Sequence, residues 1–232
     1  METKIALLAY NFPHKKTQDF IFRLLVEGYK IDVIYAADAV KLNIPASSVK
    51  TKIKHIGLVH PQIIAKQLNI DYKIIAHDSP ELPNDIIKRG IDIGIISGAR
   101  ILKEPVINSF RLGIINYHPG IIPHARGLDA LLWSIYNKQP LGVTAHLVDK
   151  RVDAGKILQI NPIKIYKKDN IFDLSERLYE IQLEMLATSI EKTINKDFLI
   201  LENYGAYNRK MPANLEEETM NQLPKYLEIF GE

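Results

Sequence analysis

Two rhythms of apolar and polar positions alternate along the chain. Residues 4–10 (KIALLAY) form a continuous apolar run, the mark of a strand buried on both faces. Residues 18–28 then take helical spacing, with Phe20, Leu24 and Leu25 on one side and a glycine at the end. Residues 31–36 (IDVIYA) read as a second strand, and strand, helix, strand at this spacing is the unit of a parallel sheet. The alternation continues with helical stretches at 61–68 and 83–89 and strands at 72–76, 91–97 (IDIGIIS) and 111–117 (RLGIINY). Residues 129–137 are helical in pattern, and 142–148 and 156–165 are longer strands that pair as a hairpin across the turn holding Asp153. Residues 171–193 predict one long amphipathic helix, apolar at Ile171, Leu174, Leu178, Ile181, Leu186 and Ile190.

This order predicts an α/β fold, a Rossmann-like doubly wound sheet that is mostly parallel. Residues 38–51 have no period and read as loop. After Asn195 the character changes to a short apolar strand, an aromatic and basic stretch, and an acidic helix over 215–230. Residues 1–195 are therefore expected to form the catalytic domain. Residues 196–232 are expected as a C-terminal β-hairpin and helix appendage packed on it. There is no internal repeat.

Composition narrows the function. The 232 residues are 47% hydrophobic and 25% charged, ordinary for a globular chain. A net charge of +3 without a Lys/Arg cluster lacks the footprint of a nucleic-acid binder, yet suits a phosphorylated or carboxylate-bearing small molecule. The absence of cysteine excludes disulfides, thiolate metal sites and cysteine nucleophiles. The apolar stretch near the start is too short for a secretory signal, and no window reaches the roughly 18 apolar residues of a membrane span. A soluble cytoplasmic protein is expected.

The candidate chemistry lies in residues 116–159. Asn116 and His118 are followed by Pro119 and Gly120, and Asp153 stands in the turn Val152-Asp153-Ala154-Gly155. Doubly wound sheets bind ligands outside the carboxyl ends of their strands, where strand order reverses, and Asn116 and His118 end such a strand. An imidazole titrating near neutrality can donate to a developing oxyanion or take a proton from an amine. An asparagine amide can hold a carbonyl oxygen. The plainer alternatives are a turn histidine and an asparagine bonded to its own backbone. Asp149 stands four residues before Asp153, and physics alone leaves the two level. His146 shares a strand face with Thr144, either as a satisfied core histidine or as a residue that positions Asp153 or the substrate. His118, His124 and His146 lack metal-ligand spacing, so no metal is expected. No G-x-S-x-G elbow, P-loop or G-x-G-x-x-G is present; the loop after the first strand reads Asn11-Phe12-Pro13-His14-Lys15-Lys16.

On these residues the chain resembles the folate-dependent formyltransferase family. The family's Asn-x-His-Pro motif matches Asn116, His118 and Pro119, and its later Asp in a D-x-G-type turn matches Asp153 in VDAGKIL. A G-V-T-x-H element matches residues 142–146, and Arg100-Ile101-Leu102 precede Asn116 at the family's distance. The resemblance is strong over about residues 85–160. It implies Asn116, His118 and Asp153 as catalytic residues, choosing Asp153 over Asp149. It also implies N10-formyltetrahydrofolate as co-substrate, held around Arg100, Ile101, Leu102 and Asp149. Methionyl-tRNA formyltransferases carry a C-terminal nucleic-acid-binding barrel, for which too few residues follow Thr193. Glycinamide ribonucleotide formyltransferases carry a Gly-rich loop after the first strand, from which NFPHKK departs. Residues 125–158 look more like the sugar N-formyltransferases. Those act on a nucleotide-linked sugar of the dTDP- or GDP-4-amino-4,6-dideoxyhexose type, as in O-antigen and lipopolysaccharide biosynthesis. In that reading Tyr10, Lys15, Arg126 and His146 are substrate contacts, Lys16 is a further candidate, and a homodimer forms through the C-terminal segment. Purine-pathway formylation and a non-catalytic folate-binding relative are the alternatives.

Overall fold

The computed structural model describes residues 2–41, 45–151, 153–203 and 205–232. Part of the aperiodic stretch 38–51 and Val152 of the Asp153 turn lie outside the described residues. The elements run β1 (Ile5–Tyr10), α1 (Lys15–Val26), β2 (Val33–Ala37), α2 (Pro61–Gln67), β3 (Asp71–Ile74), α3 (Glu81–Arg89) and β4 (Ile93–Ile96). They continue with α4 (Glu104–Ile107), β5 (Gly113–His118), β6 (Arg126–Gly127), α5 (Ala130–Tyr136), β7 (Gly142–Leu147) and β8 (Ile157–Pro162). The C-terminal part holds α6 (Ile171–Glu184), α7 (Leu186–Ile194), β9 (Tyr207–Asn208) and α8 (Ala213–Phe230).

The main sheet has the order β3-β2-β1-β4-β5-β7-β8. Its first five strands are parallel, and β7 and β8 add an antiparallel hairpin. β1 shows why such a strand is apolar throughout. Ile5, Leu7 and Ala9 face one core layer while Ala6 and Leu8 face the other, and all five are buried. Strand order reverses between β1 and β4, so β5 stands one strand beyond the reversal point.

α1 buries Thr17, Phe20, Ile21 and Leu24, the i, i+3, i+4, i+7 stripe. Leu25, expected on that stripe, is 37% exposed, because at about 100° per residue it lies roughly a quarter turn from the centre of the face formed by Thr17, Phe20, Ile21 and Leu24. The long helix expected over 171–193 is two helices that meet at the buried Met185. The first leans on β7 and the second on β5 and β8, so the bend follows the twist of the sheet. Its start is fixed by a capping box in which Asn170 and Asp173 satisfy each other's backbone. α4 was not legible because four residues, EPVI, are too few to show a period.

Among the described residues the C-terminal segment makes no hairpin of its own. Leu199 forms one antiparallel bridge with Ile157, and β9 pairs in parallel with β6. The reason is reach: the chain beyond Leu199 crosses to the loop after β5, where open backbone groups at residues 126–128 accept it. α8 then packs on α5, and the Tyr226 hydroxyl donates to the Gln139 carbonyl at 2.8 Å. Glu216, in the acidic helix, is 1% exposed. It accepts from Ser47 Oγ, Ser48 N and Ser48 Oγ, each at 2.6 Å, from Val49 N at 3.2 Å, and from Lys210 Nζ.

Candidate active site

Antiparallel register sets Asn116 of β5 opposite His146 of β7, and His118 opposite Thr144. Asn116 Nδ2 lies 3.2 Å from His146 Nε2 and 3.4 Å from Asp153 Oδ1. Asp153 reaches in from the β7–β8 turn with φ +48°, a left-handed conformation uncommon for a residue with a side chain. Its Oδ2 accepts the Gly127 backbone N–H at 3.2 Å and lies 3.5 Å from His118 Nδ1; its Oδ1 lies 3.5 Å from His146 Nε2. One carboxylate thus gathers two imidazoles, a side-chain amide and a backbone amide.

Two glycines shape the backbone around this carboxylate. A Cβ on Gly155 would lie 1.5 Å from the Leu147 carbonyl oxygen, so only glycine lets the turn close after Asp153. Gly155→Ala is therefore expected to cost ~1–3 kcal/mol by forcing the hairpin apart. Chemical denaturation should show that loss alongside reduced turnover; unchanged stability would refute the packing argument. A Cβ on Gly120 would meet the Ala125 carbonyl at 2.4 Å, because residues 119–125 fold tightly back over His118. Thr144 fastens that loop: its Oγ1 donates to the Gly120 carbonyl at 2.7 Å and accepts from Ile122 N at 3.1 Å.

The protonation states follow from these partners. His118 Nε2 is 2.5 Å from the Ala125 carbonyl, which only accepts, so Nε2 carries the hydrogen. Nδ1 of the neutral ring is then an open lone pair facing Asp153 Oδ2. Burial pushes the His118 pKa down, and the nearby Asp153 and Ala125 carbonyl offset this only in part. Burial alone would raise the Asp153 pKa, but the hydrogen bond from His146, the two histidines' charge and the Gly127 amide outweigh it and hold it below the usual carboxylate range. Near neutrality the pair is a neutral imidazole against a carboxylate. A proton arriving there is shared between Nδ1 and Oδ2.

A cleft of about 170 Å³ opens beside the triplet. Ile96, Ala99, Leu102, Val148 and Asp149 line it together with Asn116, His146 and Asp153. Asp149 stands at the rim, its carboxylate held by Arg151 through the backbone N–H at 2.7 Å and Nη2 at 2.6 Å. Leu102 is buried, Ile101 is 74% exposed, and Arg100 donates through Nη2 to the Val40 carbonyl at 2.8 Å.

Other sequence candidates lie around this centre. Tyr10 stacks on Phe12 with ring centres 5.0 Å apart and donates its hydroxyl to the Ala99 carbonyl at 3.1 Å. Lys15, expected to contact substrate, is instead part of the scaffold. Its Nζ sits 3.4 Å from the Tyr179 ring centre and pairs with Asp19 at 3.3 Å and Glu176 at 3.6 Å. Helical geometry decides this, since Lys15 and Asp19 are i, i+4 neighbours on the face turned to α6. Lys16 takes the other direction. Its Nζ lies 5.0 Å from the Phe20 ring centre and 6.0 Å from that of Tyr117, and its charge contributes to the lowering at His118. Burial first, then Lys52, pushes the Lys16 pKa down to about 7. The Arg126 guanidinium lies 6.0 Å from the Tyr207 ring and donates to the Gly205 carbonyl at 3.2 Å. His124 is exposed, and no group of three or more side chains suited to a metal is gathered among the described residues. The sequence reading missed the Gly127 amide and the Ala125 carbonyl. Their signal is backbone, and the glycine at 127 was its only trace.

A largely enclosed carboxylate between two histidines and an asparagine, at the carboxyl end of a doubly wound sheet, is an arrangement able to move protons. The formyl transferase family model matches residues 76–190, and over this segment the chain is similar to that family. Methionyl-tRNA formyltransferase of Blochmanniella pennsylvanica is 32% identical over 133 residues, covering 56% of this chain and 41% of that protein. The trifunctional purine biosynthetic protein adenosine-3 of Chironomus tentans is 29% identical over 113 residues, covering 48% of this chain and 8% of that protein. The match thus spans less than half the length of these curated relatives. Among solved structures, a sugar N-formyltransferase from Shewanella sp. FDAARGOS_354 superposes with TM-score 0.64 at 18% identity, over 95% of this chain and 87% of that one. Glycinamide ribonucleotide transformylase 1 from Symbiobacterium toebii superposes with TM-score 0.65 at 17% identity, over 89% of this chain and 95% of that one. At these identities the likeness is one of fold. No helix among the described residues is long and apolar enough to cross a membrane.

Proposed function

We propose that the protein transfers the formyl group of N10-formyltetrahydrofolate to the primary amine of a nucleotide-linked amino sugar, of the dTDP- or GDP-4-amino-4,6-dideoxyhexose type. The observation that carries this reading is the convergence of Asn116, His118 and Asp153 beside the cleft. The cleft suits a flat amphipathic donor, with Ile96, Leu102 and Val148 as apolar walls and the Asp149 carboxylate at a polar edge. The donor supplies an activated formyl carbonyl. Asn116 offers amide hydrogens to the charge that develops on the carbonyl oxygen. His118 adds a donor once Nδ1 is protonated, since its Nε2 hydrogen is given to Ala125. Asp153 stabilises that imidazolium and keeps the amine's proton within reach of the leaving nitrogen.

One observation supports a sugar acceptor over glycinamide ribonucleotide. The loop after β1 carries the aromatic group of Tyr10, Phe12 and His14 where a Gly-rich phosphate loop would stand. A small-molecule acceptor, a cytoplasmic setting and a homodimer go with this reading. The test is an assay with N10-formyltetrahydrofolate and a panel of amines, following release of tetrahydrofolate. Turnover with a dTDP- or GDP-linked amino sugar, lost in His118→Ala, is expected. Turnover with glycinamide ribonucleotide alone would move the protein to the purine pathway, and folate binding without turnover would leave a non-catalytic relative.

A further inference from the structure

Asp153 takes its one backbone hydrogen bond, among the described residues, from a glycine that the C-terminal segment holds in place. We propose that residues 205–211 are a positioning element of the active site, acting through Gly127 on Asp153; this rests on Asp153 being the catalytic carboxylate.

The contacts form a ladder. β9 pairs with β6, Tyr207 against Arg126 and Asn208 against Gly127. The Asn208 carbonyl accepts the Leu128 N–H at 2.9 Å. Trp133 Nε1 donates to the Arg209 carbonyl at 2.9 Å, and Met211 N donates to Asp129 Oδ2 at 2.9 Å. Lys210 Nζ pairs with the same carboxylate at 3.0 Å. At the other end, Gly205 presses so closely on residue 123 that a Cβ there would lie 2.3 Å from the Pro123 carbonyl. Six positions of the C-terminal segment, 205 and 207–211, thus fix the segment of residues 123–133. That segment supplies both the Gly127 N–H to Asp153 and the Ala125 carbonyl to His118. Gly127 itself has φ +97°, and a Cβ there would lie 2.3 Å from the Asn208 carbonyl oxygen. Close approach of the two strands and the aim of the Gly127 amide are therefore one geometric fact.

The charged and titratable groups around Asp153 are His118 from β5, His146 from β7, and Asp149, Lys150 and Arg151 on its own loop, with Lys16 of α1 acting on His118. The nearest atoms to a Cβ at Gly127 belong to Tyr207 and Asn208, none of these groups. The test is Gly127→Ala in the full chain, read first by ¹³C NMR titration of the Asp153 carboxyl group. Alanine keeps the N–H, but its Cβ forces the backbone off the Asn208 carbonyl and moves that donor away from Asp153; weakening an interaction that favours the carboxylate should move the Asp153 titration to higher pH. The acid limb of kcat/KM should move the same way, with kcat down about 10²-fold. In an Asp153→Asn background the same change should cost less than about twofold, because coupled residues are not additive. An unmoved Asp153 titration in folded Gly127→Ala, or full additivity with Asp153→Asn, overturns the proposal. Should Gly127→Ala fail to fold by circular dichroism, Trp133→Phe removes the bond to the Arg209 carbonyl and keeps an aromatic ring. A smaller shift in the same direction supports the proposal, and no shift overturns it. The NMR titration needs no turnover, so a wild-type chain that formylates none of the amines refutes the proposed function without touching this result.

Discussion

Asp153→Asn is expected to lower kcat for formyl transfer by on the order of 10²–10⁴ with the fold intact. The substitution keeps size and shape, but it leaves one oxygen for two donors: an oxygen at the Oδ1 position still accepts from Asn116, while the Gly127 amide at the Oδ2 position loses its acceptor. What it removes is the charge between two imidazoles. It also places an NH₂ group opposite His118 Nδ1, 3.5 Å from the position of Oδ2. That group donates into the lone pair that has to receive the amine's proton, and nothing then stabilises the imidazolium. The pH profile should change with it. In the wild type His118 is held low by burial and Asp153 stays ionised, so activity falls only as pH drops through the coupled titration of the pair. Without the carboxylate that acid limb should flatten at the residual rate. Stopped assays across pH 5–9 with the best amine of the panel would show both effects, and near-normal turnover would remove Asp153 from the mechanism.

Glu216→Ala is expected to cost ~3–5 kcal/mol of stability, the scale for breaking a buried ion pair by removing one partner. The carboxylate joins α8 to residues 47–49 and to Lys210. Its loss leaves two backbone donors, Ser48 N and Val49 N, without their acceptor and takes from Lys210 one of its two carboxylate partners, the other being Asp129. The acid side carries a second signature. Burial by itself would raise the Glu216 pKa, but Lys210, Ser47 and Ser48 outweigh it and lower it from 4.5 to about 2. A carboxylate lowered in the folded state contributes its full stability above the unfolded value of 4.5, and that contribution is lost as pH falls from there toward 2. Urea unfolding at pH 7 and at pH 3 should show a wild-type loss over that range that the variant lacks. Equal stability of the two proteins at pH 7 would mean the latch carries no net free energy.

The same distinction runs through the whole molecule. Elements with a strong period were legible: β1 and β4 as strands apolar on both faces, α1 as an amphipathic stripe, and β7 and β8 as a hairpin. Asn116 and His118 were legible as polar residues at a strand's carboxyl end, and the Asp-Ala-Gly turn as a place for a carboxylate. Short elements without a period were not, as with α4 and the pair β6–β9. The break at Met185 was hidden too, since its apolar residue suits either side of a bend.

What the sequence by itself determined was everything carried by local spacing: the doubly wound α/β order, the buried strands, and the set of residues able to do chemistry. Only the tertiary structure decided which of them meet. It set Asp153 between His118 and His146 while Arg151 holds Asp149 at the rim, and it turned Lys15 to Tyr179 and Glu176. It buried Glu216 against Ser48, 168 residues away, and brought Asn208 against Gly127. A hydrogen bond between distant residues leaves no period in either segment, because its partners are chosen by the path of the backbone through space.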